Sequence, residues 1–251
     1  MRAENIFRIS GKALTILGVA LITGQLQAAS AGIPDLDGIW SFGRCPNGGF
    51  LSCMALQEDD EKLTGRARAY QAAIDETAQP KYDCAPMPIP HMYTDPYNYR
   101  LEQLEDRVLI YYGKDDVVRT VWLEGHDHPQ PGINEFFYFG HALGHYENDS
   151  LVVVTNKFTF DPQGLNADFR IPSSTQKQVT ERFTRDADDL ALEVSTVDTF
   201  FLREPWTFSV RSIPAVDMGD AWTCELQSTR RSLRFEITKY PEDPEPDRIP
   251  Y

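Results

Sequence analysis

Of the five histidines in the 251-residue chain, four fall between residues 126 and 145: His126, His128, His141 and His145; the fifth is His91. Imidazole is the side chain whose ordinary pKa lies near neutrality, so a cluster of it points first to proton transfer. If 141–147 is a strand, His141, Leu143, His145 and Glu147 share one face, and Ala142, Gly144 and Tyr146 share the other. A carboxylate on the imidazole face would raise a histidine pKa and orient its ring. Arg119 stands between Val117 and Val121 on the face they share. There it is either the partner of a buried carboxylate or an anchor for an anionic or enolate oxygen. Combined, these make His128 and His141 an acid–base pair, Glu147 the orienting carboxylate and Arg119 the group that holds the oxygen.

The same residues support a second chemistry. His126 and His128, with His141 or His145, would make a three-histidine zinc site. Against it, Asp127 and Pro129 favour a turn, and the His141–His145 spacing lacks the glutamate that follows the first histidine of a helical zinc motif. A metal-free site is therefore expected, with no cofactor. The segment Phe136-Phe137-Tyr138-Phe139 would put aromatic rings on both faces of a strand; it is either core or the wall of a pocket. Tyr112, Trp122, Tyr138, His126 and His145 are the residues expected to bind a small apolar or aromatic molecule. No nucleophile elbow, phosphate loop, dinucleotide fingerprint or calcium loop is present.

The elements that must position these groups read as β-strands. From Tyr99 onward the apolar period is two, with strand-like runs at 107–112, 117–124, 141–147, 151–158, 176–185, 190–197, 207–213, 221–225 and 234–238. The turn signals Gly113-Lys114-Asp115-Asp116, Asn148-Asp149-Ser150 and Asp186-Ala187-Asp188-Asp189 join pairs of them as hairpins. An earlier strand ends at Trp40. Leu56, Leu63, Ala67, Tyr70 and Ile74 recur at helical spacing, which predicts one amphipathic helix over 55–78. Pro80, Pro86, Pro88, Pro90 and Pro96 mark a loop expected to lie across a surface or rim. The fold class that follows is mainly β: an antiparallel lipocalin-like barrel, or a sandwich, with one N-terminal helix.

Arg2, Arg8 and Lys12 precede a short apolar run at 13–24, and Ala29-Ser30-Ala31 offers a small-residue cleavage site. That is the order of a secretory signal, with an apolar run far short of the ~20 residues of a membrane span. The expected organisation is a signal peptide over 1–31, a single barrel-like domain over 32–239 and a flexible tail over 240–251. The product would be periplasmic or secreted. The formal charge is −14, and the signal carries three cations and one anion, leaving −16 on the remainder. Such a surface repels nucleic acid and anionic membranes, so the expected partner is a small molecule. An even set of four cysteines in an exported chain reads as disulfides. Cys45 and Cys53 flank a turn-rich loop and can bridge locally, which leaves Cys84 for Cys224.

Gly38-x-Trp40 on a first strand is similar to the opening tripeptide of lipocalin-like barrels. A longer series is more specific: Pro34-Asp35-Leu36-x-Gly38-x-Trp40, then Glu124-Gly125-x-x-His128-Pro129, then Gly140-His141-x-x-Gly144-x-x-Glu147-x-Asp149-x-Leu151-Val152-Val153-x-Thr155. This resembles a large family of exported bacterial proteins of unassigned function, which read PDL-x-G-x-W, DGR-x-HP and GHS-x-G-x-WEGDTLVV-x-T. The resemblance spans most of 34–225. Arg119, His128, His141 and Glu147 fall on its motif positions, whereas His91, His126 and His145 do not. His126 stands where the pattern has arginine and Tyr146 where it has tryptophan. The resemblance brings no activity with it. The residues favour a cofactor-independent acid–base enzyme (lyase, isomerase or hydrolase) in the periplasm, with a non-catalytic small-molecule carrier as the alternative. The carrier would show a deep apolar cavity with the histidines outside it; the enzyme would show His128 and His141 within about one water's reach of each other in a pocket.

Overall fold

A computed structural model describes residues 32–46, 53–75, 77, 79–220, 223–226 and 229. The signal segment, the strand expected at 234–238 and the tail at 240–251 lie outside the described residues. No described helix is long and apolar enough to cross a membrane.

Eleven strands follow in chain order: β1 (Gly38–Trp40), β2 (Tyr99–Gln103), β3 (Arg107–Tyr112), β4 (Val118–Leu123), β5 (His141–Glu147), β6 (Ser150–Asn156), β7 (Asp161–Asn166), β8 (Ile171–Ser173), β9 (Gln178–Asp186), β10 (Asp189–Val197) and β11 (Trp206–Ser212). Nine of them form one sheet in the order β1-β2-β3-β4-β5-β6-β9-β10-β11, and β7 pairs with β8 separately. The chain just past β1 joins the two ends of the sheet. Ser41 N–H donates to Ile213 O at 2.8 Å, Arg44 and Arg211 exchange two bonds of 2.9 Å, and Ala215 N–H donates to Ile39 O at 2.8 Å. Meeting ends leave few unpaired edges, and the result is a barrel.

The period-two pattern explains the wall. In β3, Val108, Ile110 and Tyr112 are buried, and in β10 Leu190, Leu192, Val194 and Thr196 are buried, with more exposed residues between them. Burying each large aliphatic chain contributes about 1.5–3 kcal/mol. Asn148 and Asp149 turn the β5–β6 hairpin with φ of 46° and 60°, the left-handed pair that a two-residue turn needs. Every sheet neighbour is antiparallel except β4 and β5, which run parallel from Val121/Ala142 to Leu123/Gly144. A parallel pair requires a crossover, and residues 124–140 provide it.

Three expectations are corrected. The helix α1 spans Gly65–Ala73, capped by the Thr64 hydroxyl on Ala67 N–H at 3.2 Å, and does not reach 55 or 78. Leu56 and Leu63 are buried from turns, not from a helix; Leu63 forms a β-bridge with Leu202. No strand forms at 223–225.

The third correction is the Pro-rich loop, which enters the barrel instead of crossing its rim. Its 3-10 turn His91–Thr94 buries His91, Met92 and Tyr93. The Tyr93 hydroxyl donates to Glu181 inside the barrel, and the Tyr112 hydroxyl reaches Tyr93 at 3.3 Å. Below the plug, the Lys177 ammonium donates to Ile89 O at 3.0 Å and lies 4.1 Å from the Phe158 ring centre. A His91 ring nitrogen accepts the Ala167 N–H at 3.1 Å.

Burial holds the His91 pKa down to about 3, with Lys114, Lys81 and Lys177 adding to the effect and a backbone bond at Gln163 opposing it. Above pH 6.5 the ring is neutral in both folded and unfolded chains. Below it the unfolded chain takes up a proton that the fold refuses until about pH 3, so stability falls as pH falls. Between pH 7 and pH 5 the expected loss is about 2 kcal/mol. Urea midpoints across that range should show it, and His91→Asn should flatten the slope. Equal slopes for the two proteins would refute the assignment.

Candidate functional site

The crossover runs outside the barrel, over the outer faces of β4 and β5. Val118, Thr120 and Trp122 face outward on β4, as do His141, Leu143 and His145 on β5, while Arg119, Val121, Leu123, Ala142 and Gly144 are turned inward. Between these faces and the crossover lies a cleft of about 420 Å³, walled by Val118, Thr120, Trp122, Phe137, Phe139 and His141, with Gln130 and Glu135 at its margin.

The crossover is tied down at its second half. Phe137 N–H donates to Lys157 O at 2.7 Å, and Thr159 N–H donates to Phe137 O at 3.0 Å. The Lys157 ammonium reaches Ile133 O at 2.9 Å and Gly132 O at 3.2 Å. Gly140 turns the chain into β5 with φ of 73° and rests on β6; a Cβ there would meet the Thr155 methyl at 2.6 Å and Asn156 O at 2.8 Å. Only glycine satisfies both demands. Tyr138 packs edge-to-face on Phe139, with ring centres 5.2 Å apart, and is not among the residues that wall the cleft. Its buried hydroxyl lies beside Asp161 and Gln163, and burial, followed by the Asp161 charge, pushes its pKa up.

The crossover places His128 beside His141, with ring centres 5.6 Å apart. His128 also stacks near Trp122 at 6.2 Å and an interplanar angle of 21°, and Phe137 lies 6.3 Å from His141. His128 Nδ1 is 3.1 Å from Pro129 O, and the Gln130 amide nitrogen is 3.1 Å from its Nε2. His141 differs: its Nε2 is buried and has no hydrogen-bond partner among the described residues. Burial lowers its pKa, the nearby His128 lowers it further, and Glu135 opposes both. A neutral imidazole on the wall of an aromatic cleft, with a ring nitrogen that the fold leaves unpartnered, can accept a proton there in the tautomer that carries its hydrogen on Nδ1.

The remaining candidates are not gathered there. Glu147 sits at the far end of β5, its carboxylate 2.6 Å from Arg182, whose hydrogen bond and charge lower its pKa. It orients no imidazole of the pair. Arg119 borders the cleft, but its guanidinium is buried and committed. It makes bonds of 2.9 and 2.7 Å to the two Glu181 oxygens, 3.1 Å to the Tyr112 hydroxyl and 3.3 Å to Thr155 Oγ1. Of the two readings of Arg119, the structure has the structural pair. Tyr112 therefore serves the interior and not the cleft. His145 faces Glu124 at 3.8 Å and His126 is exposed near Asp106, so neither joins His128 and His141 in a zinc set. Among the described residues no three His, Cys, Asp or Glu side chains are grouped to hold a metal.

Trp122, His128 and His141 were legible from sequence, and Phe137 and Phe139 carried a signal as a double-faced aromatic run. Thr120, Gln130 and Glu135 carried none, because a crossover's path over a strand face leaves no periodic mark. Both expected disulfides, Cys45–Cys53 and Cys84–Cys224, are formed.

No protein-family model matches the chain, and no curated protein matches it. Among solved structures, the chain is similar in part to the fluorescent protein UnaG, wild type, at 9% identity and a TM-score of 0.32, covering 72% of this chain and 97% of that one. Two single-residue variants of UnaG match at 11% and 12% identity, with TM-scores of 0.32 and 0.31 and the same coverage.

Proposed function

We propose that the chain binds a small, flat, apolar or aromatic molecule in the outer cleft and moves a proton on it, with His141 as the base and His128 as its acid–base neighbour. The observation that carries this reading is the unpartnered Nε2 of His141, set among Trp122, Phe137 and Phe139 with a second imidazole 5.6 Å away. A nitrogen so placed exchanges nothing with the fold and is free for a ligand. The two disulfides suit an oxidising, extracytoplasmic compartment. That setting favours chemistry that needs no nicotinamide or nucleotide pool. A carrier that binds without turnover is the second reading. The filled interior moves its ligand from the lumen to the same cleft.

A screen of aromatic fragments by NMR, with tryptophan fluorescence as the second signal, tests the site. Bound fragments should perturb Trp122, His128 and His141. Trp122→Ala should weaken them on the order of tenfold, and Arg182→Ala, beside Glu147 at the far end of β5, should not change them. Fragments that bind equally well without the Trp122 ring would remove the cleft from consideration. Any turnover should depend on neutral His141 and persist below the ordinary histidine pKa of 6.5, because burial lowers that value.

A further inference from the structure

The β4–β5 ladder is short, and where it stops matters. Glu124 N–H donates to Gly144 O at 2.9 Å, whereas Leu123 N–H donates to Asp106 O at 3.0 Å, beside β3. Even-numbered residues of β4 therefore turn their backbone groups toward β5 and odd-numbered ones toward β3. The ladder begins at Val121/Ala142. One step earlier, Thr120 stands opposite His141, in neighbouring strands ~4.8 Å apart. Gly140 does not continue β5 backward to meet it; its left-handed turn sends the chain away, and its own N–H bonds to Phe137 O at 3.1 Å. Among the described residues the Thr120 N–H has no acceptor. It points, in the plane of the sheet, to the side where the chain departs at Gly140, and Thr120, Gly140 and His141 all line the cleft.

Two unpartnered polar groups thus stand at adjacent positions on the wall of an aromatic cleft: the backbone N–H of Thr120 and a buried ring nitrogen, Nε2 of His141. Resting on the cleft reading above, we infer that the ligand is an aryl carbonyl compound with an acidic α-hydrogen, its carbonyl oxygen bound by Thr120 N–H and its α-hydrogen facing His141. The step is an enolisation. The α-carbon–hydrogen bond breaks, its proton goes to His141 Nε2, and its electron pair forms the new carbon–carbon double bond as the carbonyl electrons move to oxygen. Thr120 N–H then stabilises an enolate oxygen, the position at which charge develops. Once the imidazolium has traded that proton for a solvent deuteron, delivery to the same carbon gives exchange; delivery to a conjugated carbon gives an isomer. No oxidant, reductant or further reactant is consumed. The role once open to Arg119 falls to a main-chain group one residue away.

The probes are phenylacetone and its deoxy analogue propylbenzene, with the full secreted chain in D2O, followed by NMR. Phenylacetone should bind about tenfold more tightly than propylbenzene despite being the more polar, by the worth of a hydrogen bond to an otherwise unpaired donor. Its α-hydrogens should exchange faster than with an equal concentration of free imidazole. His141→Gln should abolish the faster exchange and keep the binding preference. Replacing the Thr120 residue by its α-hydroxy acid, which removes only the N–H, should erase the preference. Equal binding of the two probes overturns the Thr120 assignment while leaving the cleft as a site for apolar rings. Preferential binding without exchange overturns the base step. Binding of neither probe, together with failure of every aromatic fragment to perturb Trp122, overturns the cleft reading itself.

Discussion

Arg119→Leu is expected to cost about 3–5 kcal/mol, the usual result of leaving one member of a buried ion pair without its partner. The site gives that figure its force. Glu181 has no solvent exposure, Arg119 has 3%, and the pair is bidentate. Tyr93 and Tyr112 bring their hydroxyls to the same two charges, and Thr155 adds another contact, so the pair is hydrogen-bonded on every side the interior offers. Removing the guanidinium strands a carboxylate that solvent cannot reach and loosens the plug residue bonded to it. Glu181→Leu should be similarly severe. The double variant Arg119→Leu/Glu181→Leu should recover much of the loss, because two apolar side chains ask nothing of their neighbours. Urea unfolding of the four proteins measures the cycle. Losses that simply add would show that the pair is not the unit the geometry describes.

Opening the bond between Cys84 and Cys224 is the second large effect. These residues are 140 positions apart, and in the chain-entropy account closing a loop of that size contributes about 5 kcal/mol. The Cys45–Cys53 loop, 8 positions apart, contributes about 2–3 kcal/mol on the same account. The long bridge also has a local consequence. Cys84 ends the 3-10 turn Pro80–Asp83 that leads into the plug, and Cys224 N–H is held by Asp115 Oδ1 at 3.0 Å. With both replaced by serine, amide exchange should rise first at Ala167, whose N–H is donated to the plug residue His91, and only later in β9 and β10. Thermal unfolding that moves no more for this pair than for Cys45→Ser/Cys53→Ser would contradict the loop-length argument.

The hairpin β9–β10 was legible because its strands alternate, and β5–β6 because an apolar run follows its turn; the turns carry Ala-Asp and Asn-Asp signals. The plug was not, since prolines report where regular structure stops and not whether the segment that follows goes in or out. His91 and Tyr93 are held inside by bonds to residues 76 and 88 positions away. Strands β7 and β8 were hidden by Pro162 and Gly164, which break the pattern while Asp161 and Ser173 still pair. Within the site, strand parity correctly put His141 and Ala142 on opposite faces, without saying which face looks outward. It could not place Glu147 beside an imidazole, because an arginine on β9, seen only when β6 and β9 pair, claims that carboxylate first.

The crossover brings His128, Gln130 and Glu135 to a wall whose strands β4 and β5 hold Thr120, Trp122 and His141. His128, Gln130 and Glu135 touch neither the plug nor the inward-facing rows, so replacing them should leave the unfolding midpoint where it is. On the cleft reading proposed above, exchanging the residues between Glu124 and Phe137 should change which fragments bind and leave the unfolding midpoint in place.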